Sequence, residues 1–200
     1  MSETLDLIHT TIQKEIKSLT KINCSIPPEY ETVVSTLKKI NGKVIFMGIG
    51  KSGHIGKKLA STFSSTGTPA FFIHASESMH GDLGMIEKND VVILISNSGE
   101  TSEILAPLDS IKLIGTTTIA MTGNSNSTLA KKCDFLIPVH VEYEADSLNL
   151  APTSSSTACL VVGDALACTL SSLKGFTKKD FAVFHPGGSL GKKLLSDKNI

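Results

Sequence analysis

Five short apolar runs, each separated from the next by a stretch long enough for a helix, are the feature that most constrains this chain. The runs are Lys43–Met47, Ala70–His74, Val91–Ile95, Thr116–Met121 and Asp134–Val139. Continuous apolar strands are typical of a parallel sheet that helices cover on both faces. The sequence therefore predicts an α/β fold, a single doubly wound domain of three layers with a five-stranded parallel sheet.

Apolar spacing predicts the helices that flank this sheet. Leucine and isoleucine recur every three or four residues from Leu5 to Leu19, which predicts an amphipathic helix over residues 3–20. Further helices are predicted over residues 30–40, from the turn at 48–53 to Ser65, from the turn at 96–101 to about Leu113, and over residues 127–132 and 153–173. No internal repeat interrupts the pattern, so we expect one domain over residues 1–200.

Charge and composition exclude several classes of partner. The chain has 19 basic and 19 acidic residues and no net charge, which argues against nucleic acid, whose phosphates need a basic surface. Its unbroken apolar runs are far shorter than the ~20 residues that span a bilayer, and the N-terminus lacks the apolar centre of a signal peptide. The four cysteines show no metal or CxxC spacing, which suits free thiols. We therefore expect a cytoplasmic protein without a membrane or nucleic-acid partner.

The turn at 48–53 matches G-x-G-x-x-G between a strand and a helix, but a dinucleotide site is disfavoured. Such a site needs an acidic residue at the end of the second strand, which ends instead in Phe72, Ile73 and His74. A phosphate-binding P-loop is excluded because its first glycine would have to stand where Ile45 is.

The turn at 96–101, with the sequence SNSGET, predicts an anion site. Its three hydroxyls and one glycine lie where a strand ends and a helix begins, and free N–H groups and the helix dipole favour an anion there. The alternative is an ordinary helix cap, which needs only one hydroxyl. The turn contains no Lys or Arg, which suits a single sugar phosphate better than a triphosphate with magnesium.

Taken together, several segments resemble a known family. They are GIGKSGHIG at 48–56, STGTPAFFIHASESMHGDLGMI at 65–86, SNSGETSEI at 96–104, LAPTSSSTACLVVGDALA at 150–167 and HPGGSLGKKLL at 185–195. They resemble the sugar isomerase (SIS) domain and, more narrowly, the D-arabinose-5-phosphate isomerases of the Kdo pathway. The SNSG turn marks SIS domains in general, whereas HGDLGM, LAPTSS and HPGG are specific to the narrower group.

The resemblance implies an activity and an assembly. These enzymes interconvert D-arabinose 5-phosphate and D-ribulose 5-phosphate through a cis-enediol, supplying Kdo for lipopolysaccharide or capsule. They need no cofactor, and they form homotetramers whose active sites are shared between subunits. His74 matches a position at which family members take up an inhibitory zinc ion.

The resemblance also implies site residues. Four positions match catalytic residues: Lys51, Glu103, Glu144 and His185. Substrate contacts map to the helix region 106–115 and to Ser52, Gly67, Thr68, His80, Ser96, Asn97, Ser98, Gly99 and Thr101.

We assign roles to the four catalytic positions as hypotheses. Glu144 is the base that moves a proton between neighbouring carbons, and Lys51 stabilises the enediolate oxygen. His185, from a neighbouring subunit, helps to open the ring or shuttles protons between oxygens. Glu103, in the first turn of the helix after the 96–101 turn, has a structural role.

The chain departs from the family in two places. Longer members continue into a pair of CBS domains, whereas this sequence ends at Ile200, so no CBS pair is expected. Asp146, Ser147 and Asn149 replace the usual Cys-Pro and Gly of the loop that carries Glu144.

Two alternatives remain open on the sequence. SIS domains also act as phosphosugar sensors in transcription regulators, but the helices before the first strand are nearly neutral, which disfavours DNA binding. A different sugar substrate, a hexulose or heptose phosphate, is the other alternative, and the HGDLGM and HPGGSLG segments argue against it.

Overall fold

A five-stranded parallel sheet forms the centre of the computed structural model, which describes residues 2–187. The strands lie in the order β2-β1-β3-β4-β5. Two of the predicted strands have the expected bounds and the other three differ by one residue at each end. The bounds are β1 Val44–Gly48, β2 Ala70–His74, β3 Val91–Ile95, β4 Thr117–Thr122 and β5 Phe135–Pro138. The predicted fold class is confirmed.

Helices cover both faces of the sheet. Helices α1, α2, α3 and α8 contribute to the core on one face, and α4 to α7 contribute to the core on the other. A short 3-10 helix, Asp82–Met85, follows α4. The helices are α1 Glu3–Cys24, α2 Glu29–Lys39, α3 Gly50–Ser65, α4 Ala75–Ser78, α5 Ser102–Leu105, α6 Leu108–Ile114, α7 Thr128–Lys132, α8 Ser154–Leu173 and α9 Lys178–Phe184.

Two-sided burial explains why the strands are continuously apolar. Successive side chains of a strand point to opposite faces, so Phe46 of β1 belongs to one core and its neighbours Ile45 and Met47 belong to the other. All five residues of β1 and of β3 are buried. A polar side chain at any of these positions would lie in a core, which leaves the strand ends for functional groups.

The predicted helix from the 96–101 turn to Leu113 is wrong in one respect, because it is broken into α5 and α6. Pro107 stands at the break, where its missing N–H and its ring interrupt the helical hydrogen bonds. The sequence analysis also missed α4 and α9, and α9 is marked by a capping box between Thr177 and Asp180.

The amphipathic helix predicted over residues 3–20 is present and extends to Cys24, but its apolar stripe is mainly exposed. Leu5, Ile8, Ile12 and Ile16 are 46–53 % exposed, whereas Leu19 packs against the core. The periodicity therefore predicted the helix correctly without indicating what covers it.

By length and composition, α8 is the one helix among residues 2–187 that could cross a membrane. It packs against α1, α2 and α3, and its buried side chains from Ala158 to Leu170 belong to the core. Packing inside the fold therefore accounts for its apolar composition.

Candidate active site

A pocket of about 220 Å³ opens at the carboxyl ends of the strands. The order of the strands reverses between β1 and β3, and ligands of open α/β sheets bind at this point. Both apolar and polar side chains line it. The lining residues are Ile49, Lys51, Ser52, Ile55, Ile95, Asn97, Met121, Thr122, Gly123, Val139, Pro152, Ser155, Ser156 and Cys159.

The 96–101 turn is a loop held by its own hydroxyls. Ser96 Oγ and Thr101 Oγ1 lie 2.8 Å apart, and Ser96 Oγ accepts a hydrogen bond from the Gly99 N–H at 3.1 Å. The Ser98 hydroxyl accepts from the Glu100 N–H at 3.2 Å. Thr101 is the N-cap of α5, but its side chain does not cap the helix. The geometry thus departs from the ordinary cap that was the alternative to an anion site.

The break at Pro107 changes the argument for an anion at this loop. We expected a dipole from a helix reaching Leu113, but α5 is four residues long. Because a macrodipole is the sum of aligned peptide dipoles, one turn contributes little. An anion would therefore be held here by hydroxyl and N–H groups rather than by a long helix.

Lys51 and Ser52 reach the pocket from the first turn of α3. Ile49 is the N-cap of this 16-residue helix and makes no side-chain cap bond. The Lys51 side chain is exposed and makes no hydrogen bond or ion pair with any other residue in the described range 2–187. It is therefore a positive charge at the pocket whose partner can be a ligand.

The Glu144 carboxylate lies behind the pocket, at the N-terminus of α8. It accepts hydrogen bonds from the Thr153 N–H at 2.8 Å, the Thr153 hydroxyl at 3.1 Å and the Ser155 N–H at 3.1 Å. The Ser155 hydroxyl also donates to it. Glu144 does not itself line the pocket, whereas Ser155 does. The carboxylate therefore caps α8 from the loop that precedes it.

Hydrogen bonding decides the charge of Glu144. Burial of the carboxylate raises its pKa, but the donors from Ser155 and Thr153 together outweigh burial, so the pKa lies below the ordinary 4.5. Glu144 is therefore ionised at neutral pH, which is the state that a base requires.

The replaced residues of the loop around Glu144 hold that loop in place. Asn149 has a positive φ of 56°, and its side-chain oxygen accepts from the Glu144 N–H at 2.6 Å. The Asp146 carboxylate accepts from the N–H groups of Leu148, Leu150 and Ala151 at 2.9–3.0 Å. The departures from the family pattern are thus matched by hydrogen bonds within the same loop.

The lowered pKa of Glu144 predicts a pH dependence of stability. Because the folded-state pKa is below the unfolded one, the ionised carboxylate stabilises the fold above the unfolded value, and this contribution is lost as pH falls through the folded pKa. We expect the free energy of unfolding to fall between about pH 5 and pH 2, and to fall less in Glu144→Gln. Urea titrations across this range measure it, and equal slopes in both proteins would contradict the assignment.

Glu103, His74 and His80 lie away from the pocket lining. Glu103 is exposed and accepts from the Ser102 hydroxyl at 2.8 Å, which lowers its pKa. His80 is exposed just after α4, and α4 packs against α5. His74, at the end of β2, has a buried Nδ1 without a hydrogen-bond partner among the described residues.

The described part of the chain does not supply a zinc site around His74. No group of three His, Cys, Asp or Glu side chains in residues 2–187 is placed to hold a metal ion. A closed zinc site has four ligands, so the lone His74 Nδ1 is one donor of such a set. The residues of one described chain therefore do not fit the implied ion.

Gly67, Thr68 and His185 lie at the opposite edge of the sheet. Gly67 and His185 line a second pocket of about 530 Å³ near the start of β2. The hydroxyl of Thr68 is buried and accepts from Lys174 Nζ at 2.9 Å. His185 Nδ1 lies 2.8 Å from the Phe181 carbonyl oxygen. One chain therefore does not bring these residues to the pocket that holds Lys51.

The sequence analysis did not single out all of the lining residues. Ser155, Ser156 and Cys159 form one wall, and the serine-rich LAPTSS segment at the start of α8 was the signal available for two of them. Thr122 and Gly123 contribute because β4 ends beside β3, which strand order alone can reveal. Positions 188–195 of the HPGGSLGKKLL segment lie outside the described residues.

Comparisons with known proteins give the same picture. A family model described as SIS domain matches residues 36–169. The arabinose 5-phosphate isomerase KdsD of Pseudomonas aeruginosa is 50 % identical over 198 residues, which are 98 % of this chain and 61 % of that protein. The KdsD of Francisella tularensis is 52 % identical over 188 residues, 92 % of this chain and 58 % of that protein. This chain thus spans about three fifths of the length of these relatives.

One solved structure is similar to this chain over the whole of its own length. It is E. coli CFT073 c3406 in complex with arabinose 5-phosphate, with a TM-score of 0.90 and 50 % identity, and the match covers 93 % of this chain and 100 % of that one. The Vibrio vulnificus NanR protein complexed with ManNAc-6P is 16 % identical with a TM-score of 0.79, and the match covers 92 % of this chain and 69 % of that one. This second likeness concerns the fold alone.

Proposed function

Since the chain belongs to the SIS domain family, we propose that it is an aldose-ketose isomerase that interconverts D-arabinose 5-phosphate and D-ribulose 5-phosphate. The observation that carries the proposal is the pocket at the strand ends. Asn97 of the 96–101 loop and the exposed Lys51 ammonium line it, and the ionised Glu144 stands behind Ser155. The product would supply Kdo for lipopolysaccharide or capsule. We further propose that residues 1–200 form one SIS domain.

The proposed chemistry needs a base and a cation. Glu144 receives the proton that leaves C2, the electron pair forms the C1–C2 double bond, and the charge on O1 is stabilised by the Lys51 ammonium. Return of the proton to C1, with transfer of the O2 proton to O1, gives the ketose. Ser96, Ser98, Thr101 and Ser52 are proposed to hold the phosphate, with Asn97 and Gly99 shaping the loop.

Lys51→Met tests the role of the ammonium. We expect kcat/KM for D-arabinose 5-phosphate to fall by about 10²–10³-fold, because the developing enediolate charge loses its cationic partner. Lys57→Met, further along the same helix and also exposed, is the control and is expected to keep wild-type kinetics. Equal kinetics of the two variants would refute the role of Lys51.

We propose a homotetramer with shared active sites. It would bring Gly67, Thr68 and His185 of one copy to the Lys51 pocket of another, because the two sets lie at opposite edges of one sheet. The exposed apolar stripe of α1 offers a surface for such contacts.

Ile8→Asp combined with Ile12→Asp tests this surface. Charges on the stripe are expected to produce a smaller species in light scattering after gel filtration, and a loss of activity where sites are shared. Ile26→Asp, at a residue that is 64 % exposed outside the stripe, is the matched control and should keep the wild-type mass. An unchanged mass of the double variant would exclude α1 from the interface.

We also propose a cytoplasmic enzyme that needs no cofactor and has no nucleic-acid or membrane partner. The balanced charge of the chain supports the absence of a nucleic-acid partner. We propose that zinc inhibits by binding His74, with the further ligands supplied by another copy of the chain. Added zinc should then inhibit the wild type, and His74→Asn should reduce that inhibition.

The deciding experiment is a coupled assay on chelator-treated protein. It offers D-arabinose 5-phosphate and detects D-ribulose 5-phosphate, and turnover within the usual range of about 1–10³ s⁻¹ supports the isomerase. Tight sugar-phosphate binding without turnover would contradict the proposal and favour a sensor. Turnover of a hexulose or heptose phosphate alone would indicate a different sugar.

A further inference from the structure

One hydroxyl separates the Glu144 carboxylate from the pocket. Ser155 lines the pocket and is 5 % exposed, and its hydroxyl donates to one carboxylate oxygen of Glu144. The Ser155 N–H donates to the other oxygen at 3.1 Å. Glu144 is absent from the pocket lining, so a group in the pocket meets the Ser155 side chain before it meets the carboxylate.

We propose that Ser155 is the relay through which Glu144 exchanges protons with the sugar. This inference rests on the proposed isomerase function and adds a residue that touches the substrate. The helix α8 fixes Ser155 in its first turn, and the Thr153 and Ser155 N–H groups fix the carboxylate behind it. Both partners are therefore held in place before a ligand binds, as a relay requires.

The proposed step is balanced in atoms and charge. The C2–H bond breaks, and its electron pair forms the C1–C2 double bond while charge moves to O1. The leaving proton binds Ser155 Oγ as the hydroxyl passes its own proton to Glu144 Oε1. The reverse transfer delivers a proton to C1 while the O2 proton passes to O1, so the ketose forms and Ser155 and Glu144 end the cycle in their starting states.

Thr153 offers a matched comparison on the same carboxylate. Its hydroxyl donates to Glu144 Oε2 at 3.1 Å and also accepts from the Ala145 N–H at 2.7 Å, but Thr153 does not line the pocket. Thr153 therefore holds Glu144 without lying between it and a ligand. If Ser155 only held Glu144, loss of either hydroxyl would have a similar effect.

The charged groups near Ser155 and Glu144 make hydrogen bonds to other residues. Asp146 follows in the same loop and is occupied by backbone N–H groups. On α1, Lys14 Nζ donates to the Ala145 carbonyl at 3.2 Å, and Glu15 accepts from the Thr157 hydroxyl at 2.9 Å. Each of these groups has a hydrogen-bond partner other than Ser155.

The test compares Ser155→Ala, Ser155→Thr and Thr153→Val in the coupled assay. Ser155→Ala is expected to lower kcat by about 10²-fold or more with KM within about threefold, since a proton-transfer step is lost. Ser155→Thr, which keeps a hydroxyl, should recover most of the rate, and Thr153→Val should stay within about fivefold of wild type. Both Ser155→Ala and Thr153→Val remove one donor to the Glu144 carboxylate. In each variant we therefore expect a higher apparent pKa on the acidic side of the plot of kcat/KM against pH.

A wild-type measurement keeps the proposal falsifiable if a variant does not fold. The solvent isotope effect on kcat in D₂O should persist with substrate deuterated at C2, because the carbon-bound proton and the Ser155 proton move in one step, whereas its loss with that substrate would overturn the relay. Ser155→Ala within about fivefold of wild type, or equal losses in Ser155→Ala and Thr153→Val, would also overturn it. An inactive wild type would instead refute the isomerase function itself, so the two failures are distinguishable.

Discussion

Glu144→Gln is expected to lower kcat by on the order of 10³-fold while the protein stays folded. Glutamine cannot accept a proton from the sugar, so the base is lost. Its amide oxygen can still accept from the Thr153 and Ser155 N–H groups, and its NH₂ can donate to the Ser155 hydroxyl. We therefore expect the free energy of unfolding to fall by only about 1 kcal/mol, measured by urea titration beside the kinetics.

Asp146→Asn separates catalysis from loop structure. Asp146 accepts backbone hydrogen bonds within the same loop, from residues that lie outside the pocket lining. The variant should lose a comparable amount of stability and keep kcat within about tenfold of wild type. Near-normal turnover of Glu144→Gln would disprove the base assignment, as would losses of similar size in both variants.

Gly99→Ala is expected to weaken binding of the sugar phosphate and to destabilise the fold. Gly99 has a φ of +68°, and a Cβ there would overlap both Oγ and Cβ of Ser127. The left-handed backbone costs about 1 kcal/mol for alanine, and the overlap with buried Ser127 adds about 1–3 kcal/mol. Relief requires the 96–101 loop to move, so KM should rise by more than about tenfold.

Gly84→Ala is the matched control for Gly99→Ala. A Cβ at Gly84 meets no heavy atom within 4 Å among the described residues, and this glycine has no left-handed φ. Its melting temperature and KM should stay at wild-type values. A Gly99→Ala protein with wild-type KM would show that the loop does not hold the phosphate.

Local patterns predicted the sheet because each strand carries its own signal. β2 and β3 have the predicted bounds, since each is an apolar run between turn residues. The helix after β3 was predicted too long because its apolar spacing continues across Pro107. The exposed stripe of α1 illustrates the same limit, since periodicity records that a face is apolar but carries no information about what lies against it.

The candidate site was predictable where it follows strand ends and unpredictable where it depends on distant packing. Lys51 and the 96–101 loop follow β1 and β3 directly, and parallel strands bring such turns to one edge. Ser155 follows Glu144 by 11 residues, and their contact depends on how the loop before α8 folds back onto the first turn of that helix. The position of His185 at the other edge follows from α9, which the sequence analysis did not predict.

The placement of predicted residues at both edges of the sheet has a consequence for how the proposed activity would depend on the amount of protein in a cell. If each active site contains residues of two copies, activity per molecule depends on protein concentration. Dilution would dissociate the copies and separate Lys51 of one from His185 of the other, which lie at different pockets of a single chain. An inactive Lys51 variant and an inactive His185 variant, mixed, would restore some sites by complementation. An inactive subunit would then also disable the sites that it shares with active subunits, so a mixed assembly would lose more activity than the fraction of inactive chains.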